Sequence, residues 1–167
     1  MVSHRRINQR VNKMKVWLWC VAVCAVFTVG GCDTNNVVDQ NVELSGHNWS
    51  YVDRLKAVVD VKDPSKAYAI YFKLRHTADY GYSNIYVLLH LKGPDQKKVV
   101  KRFQYKLAEP DGQWIGSGSG NLFTHEVPLL THYHFPAAGK YEIQIEQNMR
   151  DNPLREISDV GLTISTY

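Results

Sequence analysis

From about residue 46 onward, apolar and polar side chains alternate with a period of two, and this leaves few folds open to the chain. Tyr68, Ile70, Phe72 and Leu74 alternate with Ala69, Tyr71, Lys73 and Arg75. Ile85, Val87, Leu89 and Leu91 alternate with Tyr86, Leu88, His90 and Lys92. Val99, Phe103, Tyr105 and Leu107 fall on one face of 97–107, and Tyr141, Ile143, Ile145 and Met149 on one face of 141–149. Val160, Leu162 and Ile164 alternate with Gly161, Thr163 and Ser165. Successive strand side chains point to opposite faces, so each run has one wet and one buried face. Turn-forming clusters separate the runs, among them Asp63-Pro64-Ser65, Gly93-Pro94-Asp95, Pro110-Asp111-Gly112 and Asp151-Asn152-Pro153. No stretch keeps a 3.6-residue period. The pattern predicts an all-β domain over 46–167, an antiparallel β-sandwich of jelly-roll or immunoglobulin-like outline with about seven or eight strands.

The first 31 residues read as a leader of another kind. Arg5, Arg6, Arg10, Lys13 and Lys15 precede VWLWCVAVCAVFTV, fourteen residues without a charge. Fourteen helical residues reach only about 21 Å, short of the ~30 Å hydrocarbon core, which favours a cleaved signal over a permanent span. Met14 is an alternative start, since Met14-Lys15 and the apolar run already make a short leader. The run ends in Val29-Gly30-Gly31-Cys32, an aliphatic residue and two small residues before a cysteine. That resembles the bacterial lipobox, in which the thiol receives a diacylglyceryl group and the peptidase cuts before it. Cys32 is therefore the expected lipid attachment site, carrying diacylglycerol and palmitate. Residues 32–45 are polar and read as a lipidated N-terminus and flexible tether.

Composition changes meaning once the leader is set aside. The formal charge of +4 would suggest nucleic acid or anionic lipid. Five of the twenty basic residues sit in the leader, which holds no acid. From Cys32 onward, fifteen basic residues face sixteen acidic ones, so the exported part is near neutral and a nucleic-acid partner is not expected. Cys20 and Cys24 leave with the leader. The folded part then has no disulfide and no Cys-based metal site.

Motifs for chemistry are weak. His125, His132 and His134 lie close in sequence, and His132 and His134 would share a strand face. They are the only metal candidates, without an HExxH or a Cys pair beside them, and a polar, aromatic strand edge explains them as well. A hydrolytic site around them is the least supported reading. Glu142 and Glu146 are explained by the wet face of a strand. No GxSxG is present, so no nucleophile elbow is supported. The run Gly116-Ser117-Gly118-Ser119-Gly120 sits in a β context and suits a bulge or tight loop. No catalytic residue, cofactor or small-molecule substrate is expected beyond the covalent lipid. Aromatic side chains are the stronger anomaly. Trp49, Tyr80, Tyr82, Trp114 and Tyr133 lie in or beside loops, where rings stack on sugars or anchor a partner, or else plug the end of the sandwich.

Several phrases together carry a likeness. They are Cys32-Asp33, Ala67-Tyr68, Leu74-Arg75, Tyr80-Gly81-Tyr82-Ser83-Asn84, Gly112-Gln113-Trp114-Ile115-Gly116-Ser117-Gly118, Gly139-Lys140-Tyr141 and Gln147-Asn148-Met149-Arg150, with Leu154, Ile157 and Asp159-Val160-Gly161. Their order and spacing resemble the gliding motility-associated lipoprotein GldH family over about 46–166. The resemblance implies a cell-envelope lipoprotein needed for gliding motility of surface-crawling bacteria. With the lipobox and the β pattern, the expected protein is non-enzymatic and lipid-anchored, on the periplasmic side of the outer membrane. It would serve as an accessory or scaffold for motility or secretion machinery through protein contacts. It brings no catalytic residues. Asn84 is expected to bond backbone groups at a strand start, and Gly116 and Gly118 to adopt angles closed to other residues. Arg150 is expected to pair with Asp159 or a nearby carboxylate. Trp49, Tyr80, Tyr82, Asn84, Trp114 and Arg150 are the candidate contacts with a protein partner or, as an alternative function, a glycan.

Overall fold

A computed structural model describes residues 36–167. The leader, the lipobox and Cys32 lie outside the described residues. Eleven strands form: β1 (Asn36–Glu43), β2 (Asn48–Trp49), β3 (Leu55–Val61), β4 (Tyr68–Thr77), β5 (Asn84–Lys92), β6 (Lys98–Lys106), β7 (Ser117–Ser119), β8 (Leu122–Tyr133), β9 (Gly139–Gln147), β10 (Leu154–Arg155) and β11 (Ile157–Thr166). Eight have seven or more residues, and three are short additions. The described part is all-β, with one short 3-10 turn at Ser45–His47.

The strands build two antiparallel sheets, ordered β1-β11-β4-β8-β7 and β3-β9-β5-β6, with a small β2–β10 ribbon. Their inner faces share one core. Ile70, Phe72, Leu74, Leu162 and Ile164 come from the first sheet; Val59, Ile85, Val87, Leu89, Ile143 and Ile145 come from the second. Fully burying each such side chain stabilises by roughly 1.5–3 kcal/mol. The alternation in β4, β5 and β9 therefore reads out the sandwich as expected.

The domain begins ten residues before the boundary expected at 46. Residues 36–43 are no tether but strand β1, paired with β11 from Asn36↔Ser165 to Glu43↔Asp159. β1 is an edge strand whose main apolar contact with the core is Val38, so its polar letters hid the ladder. Two face assignments also change. Val99 is 47% exposed, because edge strand β6 packs on the core only from Phe103 onward. Gly161 and Thr163 are buried on the outer face of β11, which lies between β1 and β4. The Asn41 side chain lies over Gly161, where a Cβ would come within 2.1 Å of its Oδ1.

Register defines two ends of the sandwich. At the first, Asn36 pairs with Ser165, Thr166 with Tyr68, Tyr68 with Tyr133, and Lys92 with Lys98. The turns 62–67, 93–97 and 134–138 close this end. At the opposite end lie His76 and Thr77 of β4, Asn84 of β5, the start of β8 and the end of β9.

Candidate functional site: a histidine–aromatic cluster at the far end

The buried series of β4 runs Tyr68, Ile70, Phe72, Leu74 and then His76, which is fully buried. β8 lies beside it, with Phe123 opposite His76 and His125 opposite Leu74. The two imidazoles lie nearly parallel and meet edge to edge, with centroids 5.0 Å and Nε2 atoms 2.9 Å apart. His76 Nδ1 lies 2.7 Å from the Thr77 carbonyl oxygen. A carbonyl only accepts, so Nδ1 carries the proton and Nε2 of His76 is the bare acceptor. His125 must then donate from its Nε2. Both rings can be neutral and satisfied at once. Burial pushes both below the ordinary histidine range, with His125 at about 4 through burial and the neighbouring His76.

Aromatic rings seal the pair. Trp114 meets His76 edge-on at 4.5 Å, Tyr80 lies at 5.2 Å and Phe123 stacks at 5.9 Å, as centroid distances. Trp114 is held by a single bridge to Ala108, and the Tyr80 hydroxyl donates to the Asn84 carbonyl at 3.1 Å. Burial, with the Tyr82 and Asp151 charges, raises the Tyr80 pKa. Glu156 accepts from the Thr77 hydroxyl at 2.6 Å and not from an imidazole.

The glycines have a packing purpose. Neither Gly116 nor Gly118 is among the residues with positive φ, contrary to the expectation of special angles. A Cβ on Gly116 would lie 2.7 Å from His125 Nε2 and 2.7 Å from the Thr124 carbonyl oxygen. One on Gly118 would lie 2.9 Å from the Phe123 ring. Absence of a side chain lets the 116–118 segment close over the cluster.

A second set of bonds ties the neighbouring loop down. Tyr82 donates to the Asp151 carboxylate, a bond that raises its pKa. Gln147 Nε2 donates to the Asp151 carbonyl at 3.0 Å, and Gln147 Oε1 accepts from the Met149 N–H at 2.8 Å. Met149 Sδ accepts from the Tyr86 N–H at 3.3 Å. The phrases 80–84, 112–118 and 147–150, far apart in sequence, thus assemble at one end. Tyr82→Phe removes only the exposed bond to Asp151. Its expected cost is about 1 kcal/mol or less, read from the urea midpoint at unchanged m-value.

The structure scatters other candidates. Trp49 is fully buried against Phe72 at 5.8 Å, its Nε1–H on the Asp53 carbonyl, and so belongs to the core. Tyr80 is buried and Trp114 half-buried. Tyr80 meets Tyr82 at 64° and Trp114 at 43°, so these rings pack on one another and form no flat platform for a sugar. The glycan reading loses its support. Asn84 is half-buried and contributes its carbonyl to the site. Arg150 is exposed, and Asp159 faces Arg75 at 3.6 Å instead.

The histidine trio does not meet. His125 sits near the start of β8, and His132 seven residues further along it; a strand rising about 3.3 Å per residue carries the two to opposite ends of β8. His132 has φ 49°, which breaks the alternation meant to align it with His134, and it stacks on Tyr167 at 4.3 Å. Among the described residues, no three His, Cys, Asp or Glu side chains group as metal ligands. Sequence reasoning missed His76, the actual neighbour of His125. Its signal was its place as the next residue in the buried series of β4.

The fold and this end define a class: an antiparallel β-sandwich in which the phrases 80–84, 112–118 and 147–150 build a packed, polar-centred end. The model of the GldH lipoprotein family matches residues 36–164, and the chain belongs to that family. The gliding motility lipoprotein GldH homolog of Christiangramia forsetii is 29% identical over 149 residues, covering 83% of this chain and 91% of that one. The gliding motility lipoprotein GldH of Flavobacterium johnsoniae is 25% identical over 151 residues, covering 86% and 93%. Among solved structures, a fructofuranosidase of Schwanniomyces occidentalis is 10% identical with a TM-score of 0.41; the match covers 81% of this chain and 34% of that one. An arabinose-bound α-L-arabinofuranosidase is 8% identical with a TM-score of 0.35, covering 77% and 19%.

Proposed function

We propose that the chain is a lipid-anchored envelope protein, attached through Cys32, that supports motility or secretion machinery as an accessory subunit through protein contacts. It faces the periplasm from the outer membrane. One observation carries the reading: the lipobox cysteine stands only four residues before Asn36, where the sandwich begins. A domain so close to an acylated residue is confined to the membrane surface. Confinement raises its effective concentration toward membrane partners without any new contact. The names of both relatives, motility lipoproteins, agree with this role. The closed packing of the histidine cluster suits a rigid contact surface better than turnover.

Cys32→Ala tests the anchor. The variant should lose fatty-acid labelling, keep its leader or leave the membrane fraction, and abolish the supported phenotype. Wild-type labelling and fractionation in the variant would remove the reading. Crosslinking of the wild-type chain in its own envelope should then recover motility or secretion subunits.

A further inference from the structure

The charges of the domain are sorted by end, although they cancel in total. Fifteen basic and fifteen acidic residues lie within 36–167. At the end where Asn36 enters, the turns 62–67, 93–97 and 134–138 and the adjoining strand termini carry Lys62, Lys66, Lys92, Lys97, Lys98 and Lys140. Asp60, Asp63, Asp95 and Glu142, which sits opposite Lys92, are the acids there, which leaves a side-chain charge of +2. The opposite end, 43–54, 78–83, 106–121 and 148–156, holds seven acidic and four basic residues, a charge of −3. The sheets between them hold five basic and four acidic residues, a charge of +1.

These lysines are available. Lys62 and Lys97 keep 82% and 84% of their side-chain surface open, each with one surface aspartate partner. Lys66, Lys92, Lys98 and Lys140 form no ion pair among the described residues. The end is also assembled as a unit. The Tyr167 N–H donates to the Ala67 carbonyl at 3.1 Å, and Gly139 packs against Pro94. Tyr167 is 59% exposed beside His132, an amphipathic ring of the sort favoured at lipid–water boundaries.

We infer that this basic end rests on anionic phospholipid headgroups, with the acidic, histidine-clustered end directed away from the bilayer. The inference rests on attachment at Cys32. Four residues from Cys32 to Asn36 span at most about 14 Å when fully extended. That length is close to the ~10 Å screening distance at 0.1 M salt, so the lysines lie within reach of the surface field. A charge of +2 facing an anionic surface and −3 facing away orients the domain as well as holding it. Each lysine near such a surface strengthens association by roughly fivefold.

The full lipid-bearing chain, reconstituted in vesicles of phosphatidylcholine alone or with about a third phosphatidylglycerol, tests this through amine-reactive labelling and mass spectrometry. Lys62, Lys66, Lys97, Lys98 and Lys140 should label about fivefold more slowly on anionic vesicles than on neutral ones at low salt, and equally at high salt. Lys56 and Lys106 should label alike on both. Changing Lys62, Lys66, Lys97 and Lys98 to Gln, all surface positions, should abolish the difference at Lys140. Equal labelling on both vesicles, or protection spread evenly to Lys56 and Lys106, overturns the orientation while leaving the anchor intact. A chain that fails to float with neutral vesicles overturns the anchor first, and this inference with it.

Discussion

Gly116→Ala should destabilise the domain by about 3 kcal/mol, at the upper end of ordinary overpacking. The added methyl would sit 2.7 Å from an imidazole nitrogen and 2.7 Å from a backbone carbonyl oxygen. Neither neighbour can yield cheaply. The Thr124 carbonyl belongs to β8, beside the β7 pairing of Ser117 with Thr124. The His125 ring is held by the in-plane bond to His76 Nε2. Moving it leaves the fully buried His76 acceptor unpaired, a further cost of about 1–3 kcal/mol if the bond is lost outright. Gly81→Ala is the comparison. It has open space around a built Cβ and no positive φ, so the change should be neutral or stabilise by up to about 1 kcal/mol through the unfolded state. Urea unfolding measures both. A double-mutant cycle with His125→Ala should recover part of the Gly116→Ala cost, because the ring half of the clash is gone while the carbonyl half stays. A Gly116→Ala loss below about 1 kcal/mol would show that the 116–118 segment simply lifts away.

The contrast between these glycines explains what was legible in the sequence. Strands β4, β5 and β9 could be read because each has one face on the core and one in water, and burial prints that difference every second residue. The edge strands were harder. β1 needs few apolar letters, since a polar ladder partner costs it nothing at the rim, and β6 is wet on both faces over its first half. β11 departs in the other direction: Gly161 and Thr163 on its outer face are buried, Gly161 beneath the Asn41 side chain of the neighbouring β1. At the site, the phrases containing Tyr80, Trp114 and Met149 were visible as phrases, but not their convergence, which depends on pairings across dozens of residues. For His125, the sequence alone points to the wrong neighbours. Proximity in sequence suggested His132 and His134, whereas a strand places residues close in sequence far apart and brings its partner from the adjacent strand. His76 lay in plain view as the polar member of an apolar series, and a buried histidine there demands a partner.

That demand sets a pH dependence. In the unfolded chain His125 titrates near 6.5, and in the fold at about 4, chiefly because burial opposes charging it and secondarily because His76 lies beside it. Between these values the unfolded chain binds a proton that the folded chain does not. Stability is therefore full above pH 6.5 and falls as the pH drops toward 4, where the folded protein begins to take up the proton too. A span of about two and a half pH units corresponds to about 3 kcal/mol from this one residue. His76, fully buried and shifted in the same direction, adds to it. The loss should appear as a fall in the urea midpoint between pH 6.5 and 4, before most carboxylates protonate. Asp63 and Asp95 act lower, since hydrogen bonds to Ser65 and Lys97 hold them below the usual carboxylate range. Replacing His125 with Gln keeps a donor for His76 Nε2 but removes the titrating ring. That variant should start less stable at pH 7 and lose less on acidification, so its curve is flatter and not merely lower. A parallel downward shift, with the wild-type slope retained, would assign the acid sensitivity elsewhere. A flattened slope would show that the far end is locked by two neutral imidazoles, which makes its rigidity conditional on pH.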